Sequence, residues 1–135
     1  MAEKEIIMSV IGTFAPAKDG GWVGTIRTLT LDGYSTILVS GLDQPHGLAF
    51  DHAGLLYVSN NGNGTISRIQ LSSGIVTTFA SGLHGPATLA FGPDGNLYVA
   101  EANNNSVAKV TMKGVVTPFA KGIPTPTQVA FDVNG

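Results

Sequence analysis

Three histidines, His46, His52 and His84, and nine carboxylates are the side chains of this sequence that could do acid-base or metal chemistry. Imidazole nitrogens suit a divalent metal or an anionic ligand. His46 directly follows Pro45, and His84 stands two residues before Pro86. With Asp43 and Gln44 just upstream, His46 and His84 form the candidate ligand-binding set, and the two histidines are the candidate metal ligands. His52 falls in the Asp51 to Gly54 turn and reads as exposed. Ser59, His46 and Asp51 supply the residue types of a hydrolytic triad, but no nucleophile-elbow glycines surround any serine. Nothing in the spacing of the acids selects a carboxylate pair for glycoside chemistry. The chain has no cysteine, which excludes disulfides, thiolate zinc sites and a cysteine nucleophile.

The elements that must position these residues belong to an unusually uncharged chain. Of its 135 residues 12% are charged and 43% hydrophobic, whereas about a quarter of an ordinary domain is charged. That balance excludes disorder and implies elements buried on most sides. Seven Lys and Arg against nine Asp and Glu leave no basic field for a phosphate backbone or an anionic membrane surface. Nucleic acid and membrane are therefore not expected partners. No run reaches the roughly 18 apolar residues of a membrane span, and MAEKEIIMSVIG lacks a secretory-signal pattern.

Laid against itself at a shift of 40 or 41 residues, the chain repeats. Gly41, Gly82 and Gly122 are followed by Pro45, Pro86 and Pro126, then by Leu48-Ala49-Phe50, Leu89-Ala90-Phe91 and Val129-Ala130-Phe131. Gly54, Gly95 and Gly135 close the next turn, and Leu56-Tyr57-Val58 falls on Leu97-Tyr98-Val99. Each unit reads as four short antiparallel strands separated by Gly, Asn, Asp and Pro turns, about twelve strands in all. Residues 41–81 and 82–121 are complete units, and 122–135 hold a surplus first strand at Thr127 to Asp132. Residues 6–40 form a unit without its first strand, with strands at Ile6 to Phe14, Gly24 to Leu31 and Ser35 to Ser40 around an Ala15 to Gly21 turn. Ala49, Ala90 and Ala130 mark where a second sheet approaches closely. Pro118 places the fourth strand on an edge. Tyr57 and Tyr98 read as core, Trp22 as packing, and Arg68 and Lys109 as solvent-facing. The asparagine-rich stretches at 60–63 and 103–105 read as turns that tolerate positive φ.

Four-stranded units of about 40 residues, apolar on both faces, match the blades of a β-propeller packed around a central channel. QPHGLAFDHAGLLYVSNNGNGTISRI and GPATLAFGPDGNLYVAEANNNSVAKV resemble NHL repeats, and the likeness extends over residues 41–135. It departs where that family has an aspartate after the second strand, here Asn60 or Glu101, and an arginine after paired asparagines, here Thr65 or Ser106. Those departures put the family's polar contacts between blades in doubt. VIGTFAPAKDGGWVGTIRTLTLD, residues 10–32, also resembles the start of the DUF736 family of small bacterial domains, which implies no activity.

On a propeller, His46 stands at the channel mouth at the entrance to an innermost strand, and His84 lies near the same rim on the next blade. Some NHL-like propellers, the peptide-amidating and streptogramin lyases among them, resemble this chain in using channel-facing histidines. The resemblance implies, as one alternative, a metal-dependent lyase- or lactonase-like enzyme with Zn or Ca there. However, Ala87 and Thr127 occupy the positions equivalent to His46, and a turn histidine bonded to backbone is the simpler reading. The favoured expectation is a non-catalytic scaffold, without a cofactor, that presents rim loops to a protein, peptide or small ligand. Three blades fall short of the roughly four to eight of a closed propeller. A homodimer closed by strand exchange is therefore expected, the surplus strand of one chain completing the deficient blade of the other in a six-bladed ring.

Overall fold

A computed structural model describes residues 5–10, 23–132 and 134. Trp22, the expected Ala15 to Gly21 turn, the expected strand beyond Val10, residues 11–22 of the stretch resembling DUF736, and Gly135 lie outside those residues. The described chain is almost wholly β and forms three antiparallel sheets. The first contains β1 (Glu5–Val10), β2 (Val23–Thr30) and β3 (Ser35–Asp43), in that order. The second is β4 (Pro45–Phe50), β5 (Leu56–Asn60), β6 (Thr65–Gln70) and β7 (Ile75–Ala80). The third repeats it with β8 (Pro86–Phe91), β9 (Leu97–Glu101), β10 (Ser106–Val110) and β11 (Val116–Lys121). Among the described residues the only helical turn is the three-residue 3-10 segment Ala102–Asn104. Pro118 lies in β11, an edge strand, where its missing N–H costs no ladder bond.

The sheets stack because their second strands are apolar on both faces. Every residue of β5 and of β9 is buried. Leu56 and Val58 join Ile26, Val39 and Leu42 between the first and second sheets. Tyr57, on the opposite face of β5, joins Leu89, Leu97, Val99, Ala108 and Val110 between the second and third. Period-two alternation thus sends one strand's side chains into two cores.

A β-bulge in each unit completes this packing. The β6–β7 register passes from Ile66↔Ala80 to Ser67↔Thr78 and leaves Phe79 unpaired. The β10–β11 register likewise skips Phe119, and β2–β3 skips Leu38. The extra residue bends the strand and re-aims a side chain. Phe79 meets Tyr57 edge-on at 5.0 Å between ring centroids, and Phe119 meets Tyr98 at 4.9 Å. From the following unit, Phe91 adds a second edge contact to Tyr57 and Phe131 one to Tyr98, each at 5.1 Å.

The expected strand at Thr127 to Asp132 is not formed. A strand needs a ladder partner, and this segment is instead held through Thr88. Thr88 donates its N–H and its hydroxyl to the Thr127 carbonyl at 3.2 and 2.9 Å, and the Val129 N–H donates back to the hydroxyl at 3.0 Å. The basic side chains are half-exposed and make contacts at the sheet surface. Arg68 lies 5.5 Å from the centre of the Phe79 ring, and Lys109 Nζ is 3.5 Å from Asp94 Oδ2.

The tyrosine hydroxyls find aspartates at different turn positions. Asp51, the first residue of its turn, accepts from Tyr57 at 3.1 Å, and Asp94, two positions further along the equivalent turn, accepts from Tyr98 at 2.7 Å. Asp94 also accepts from the Asn96 side chain and backbone N–H. The Asn96 amide first, then the Tyr98 hydroxyl, hold its carboxyl well below the ordinary 3.8. A carboxyl depressed on folding stabilises the protein fully above its unfolded pKa, and that contribution fades as the pH falls through the lower folded value. Acid titration from about pH 5 to about pH 2 is therefore expected to cost the wild type more stability than Asp94→Asn, as read from urea midpoints. Parallel profiles would contradict this.

Candidate functional site

Asp43, Gln44, His46 and His84 all lie at one end of the sheets, where each first strand begins and each second strand ends. The turn entering that strand is built alike each time. Gln44, Gly85 and Thr125 take positive φ values of 53°, 60° and 43°. Asn61 N–H donates to the Gln44 carbonyl and Ala102 N–H to the Gly85 carbonyl, at 2.9 and 3.0 Å. Gly62 N–H bonds the Asp43 carbonyl and Asn103 N–H the His84 carbonyl, at 3.1 and 3.3 Å. His84 is therefore the structural counterpart of Asp43: successive blades place a carboxylate and an imidazole in the same slot. The Asp43 carboxylate lies against Gly62, where an added Cβ would come within 2.0 Å of Oδ1. His46 is exposed as the second residue of β4.

Sequence reasoning missed Glu101 as a site residue. It ends β9 with only 7% of its side chain exposed, while His84 is 63% exposed. Glu101 Oε2 accepts the His84 N–H at 2.8 Å and lies 3.4 Å from His84 Nδ1. Its Oε1 accepts from the Ser106 hydroxyl at 3.1 Å. Gly82, Asn104 and Lys121 line a cleft of about 200 Å³ beside this cluster. The signal was present as an acid closing an apolar strand, at the position held by Asn60 in the previous blade. Asn60 turns inward instead, donating to Thr65 and Ser67 at 3.0 and 2.9 Å. Asn60 and Glu101 thus bond within their own blade or its entry loop. A second cleft, of about 410 Å³, lies at the opposite end of the sheets beside Phe50, His52, Phe91 and Met112.

Ser59 is occupied structurally. Its hydroxyl accepts the Gly47 N–H at 2.8 Å and donates to the Ala87 carbonyl on the next blade. The backbones meet closely there: a Cβ on Gly47 would come within 2.7 Å of the Ala87 oxygen and the Thr88 Cα. Among the described residues no three His, Asp or Glu side chains are grouped closely enough to hold a metal ion.

No family model and no curated protein matches the chain. Solved structures do. The chain is similar to a catalytically inactive virginiamycin B lyase from Staphylococcus aureus with quinupristin, at 18% identity and TM-score 0.61, over 92% of this chain and 49% of that one. It is similar to luciferin-regenerating enzyme at 17% identity and TM-score 0.76, over 94% of this chain and 46% of the other. A streptogramin B lyase matches at 20% identity and TM-score 0.59, over 78% and 39%. These are β-propeller proteins, and the chain has their fold while spanning half or less of their length.

Removing the Glu101 carboxylate leaves the Ser106 hydroxyl and the His84 N–H without their acceptor. Hydrogen bonds to charged groups are worth about 1.5–3 kcal/mol each, so Glu101→Ala, which removes two, is expected to lower stability by at least the worth of one in urea unfolding. An unchanged midpoint would show that Glu101 does not tie down the rim.

Proposed function

We propose that this chain is a non-catalytic, NHL-type propeller module whose loop end binds a protein, peptide or small polar ligand. One observation carries the reading. Glu101, the buried acid of the site, spends both oxygens on Ser106 and on the backbone and ring of His84, so the acid builds the rim and is not left facing a reacting group. Asp43 and His84, alternating in equivalent slots, offer a carboxylate and an imidazole on successive blades. Exposed His46 adds a third polar group at the same end. Such a rim suits a ligand with spaced amides or cations, as a peptide has.

The second reading is a lyase- or lactonase-like enzyme with Zn or Ca at the channel mouth. It is favoured by the placement of His46 and His84 at the same end of neighbouring blades and by the lyases among proteins of this fold. In that case the imidazoles would hold the ion, and the ion would polarise a substrate oxygen.

Elemental analysis of the purified protein separates the two. The scaffold reading expects no stoichiometric Zn or Ca, and a peptide-display selection yielding binders that are lost in Asp43→Ala and His84→Ala. One equivalent of either metal per chain, lost in His46→Ala, would overturn it.

A further inference from the structure

The face of the third sheet turned away from the second carries the same apolar groups that the third sheet covers on the second. Tyr98, Phe119 and Phe131 repeat Tyr57, Phe79 and Phe91 in identity and in ring geometry. Tyr57 is fully buried and Phe79 partly so, but Phe119 is 61% exposed and Phe131 37%. In the second sheet that cover is an entire blade, whose first strand, β8, lies against β4 and β5. Over the third sheet, residues 127–131 already occupy the place of such a first strand through Thr88, without a ladder partner of their own. Among the described residues the first sheet has the converse deficit: β1 lies at its edge, where the other sheets have an innermost strand paired to the second.

We infer that a second copy of this chain covers the third sheet. Residues 127–131 of each copy become the innermost strand of the other copy's first sheet, pairing antiparallel with its β1, and that sheet packs over Tyr98 and Phe119. The repeat fixes the register. Leu48 pairs with Val58 and Leu89 with Val99, and β1 sits against β2 as β5 sits against β6, so Val129 is placed opposite Met8. Closure continues an interface that the chain already makes within itself, and it is isologous as a two-fold requires. It also brings both copies' His46 and His84 to one rim.

The chain has no cysteine, so an introduced pair reports unambiguously. Met8→Cys with Val129→Cys is expected to oxidise to a covalent dimer that dithiothreitol reverses, whereas Asp32→Cys with Val129→Cys is not. Light scattering of the wild type should give about twice 13.9 kDa. Phe119→Asp, at a position exposed in the single chain, should give a monomer with an unchanged β-type far-ultraviolet spectrum. A wild-type monomer, or a dimer in which the Met8→Cys and Val129→Cys pair fails to cross-link, would overturn the inference.

Discussion

A sheet whose middle strand is apolar on both faces cannot bury itself, and everything else in this molecule follows from that constraint. Leu56 and Val58 leave β5 on one side and Tyr57 on the other, and each side needs a neighbouring sheet. Stacking is therefore obligatory for the second and third units, and the low charge content is its compositional trace. The strand ends then fall together at one end of the stack, which is where Asp43, His46, His84 and Glu101 gather.

The stack tolerates substitution by moving a group while keeping the bond. Between the second and third sheets the carbonyl of Ala87 receives the Ser59 hydroxyl from β5. One unit later the equivalent carbonyl, of Thr127, receives the Thr88 hydroxyl from β8, and the position of Ser59 is Ala100. Gly47 leaves room for the first arrangement, and Thr88 stands in Gly47's place in the second. The tyrosine hydroxyls follow the same logic with Asp51 and Asp94. Fixed geometry with interchangeable donors explains how units can diverge without losing the fold, and why function must be argued from the rim residues and not from the fold.

Much of this was legible. The shift of 40 or 41 residues, the recurring Leu-Tyr-Val triplets and the turn glycines specify the strands and their order, because alternation and turn chemistry are local. Pro118 marked its edge correctly, and Asn105 takes the positive φ expected of a turn asparagine. What failed depends on partners distant in sequence. Thr127 to Asp132 has the pattern of a strand but no strand to pair with. The contact of half-exposed Arg68 with Phe79 was not readable, because the bulge that brings Phe79 beneath it is invisible in a pattern of period two. Glu101 was read as a departure from a motif, since nothing local shows that the loop at His84 folds back over it. At the candidate site, Asp43, Gln44, His46 and His84, singled out by residue type and position, share one end of the sheets, and the hydrogen bonds of the entry turns make Asp43 the counterpart of His84.

Successive units are held by a repeated contact between a second-strand tyrosine and a first-strand phenylalanine of the next unit. A double-mutant cycle of Tyr57→Leu and Phe91→Leu, read by urea unfolding, tests it most directly. Edge-to-face aromatic pairs couple by about 0.5–1.5 kcal/mol beyond their buried area, and the account predicts a coupling in that range. Additive effects of the two substitutions would mean that the sheets do not stack through this contact.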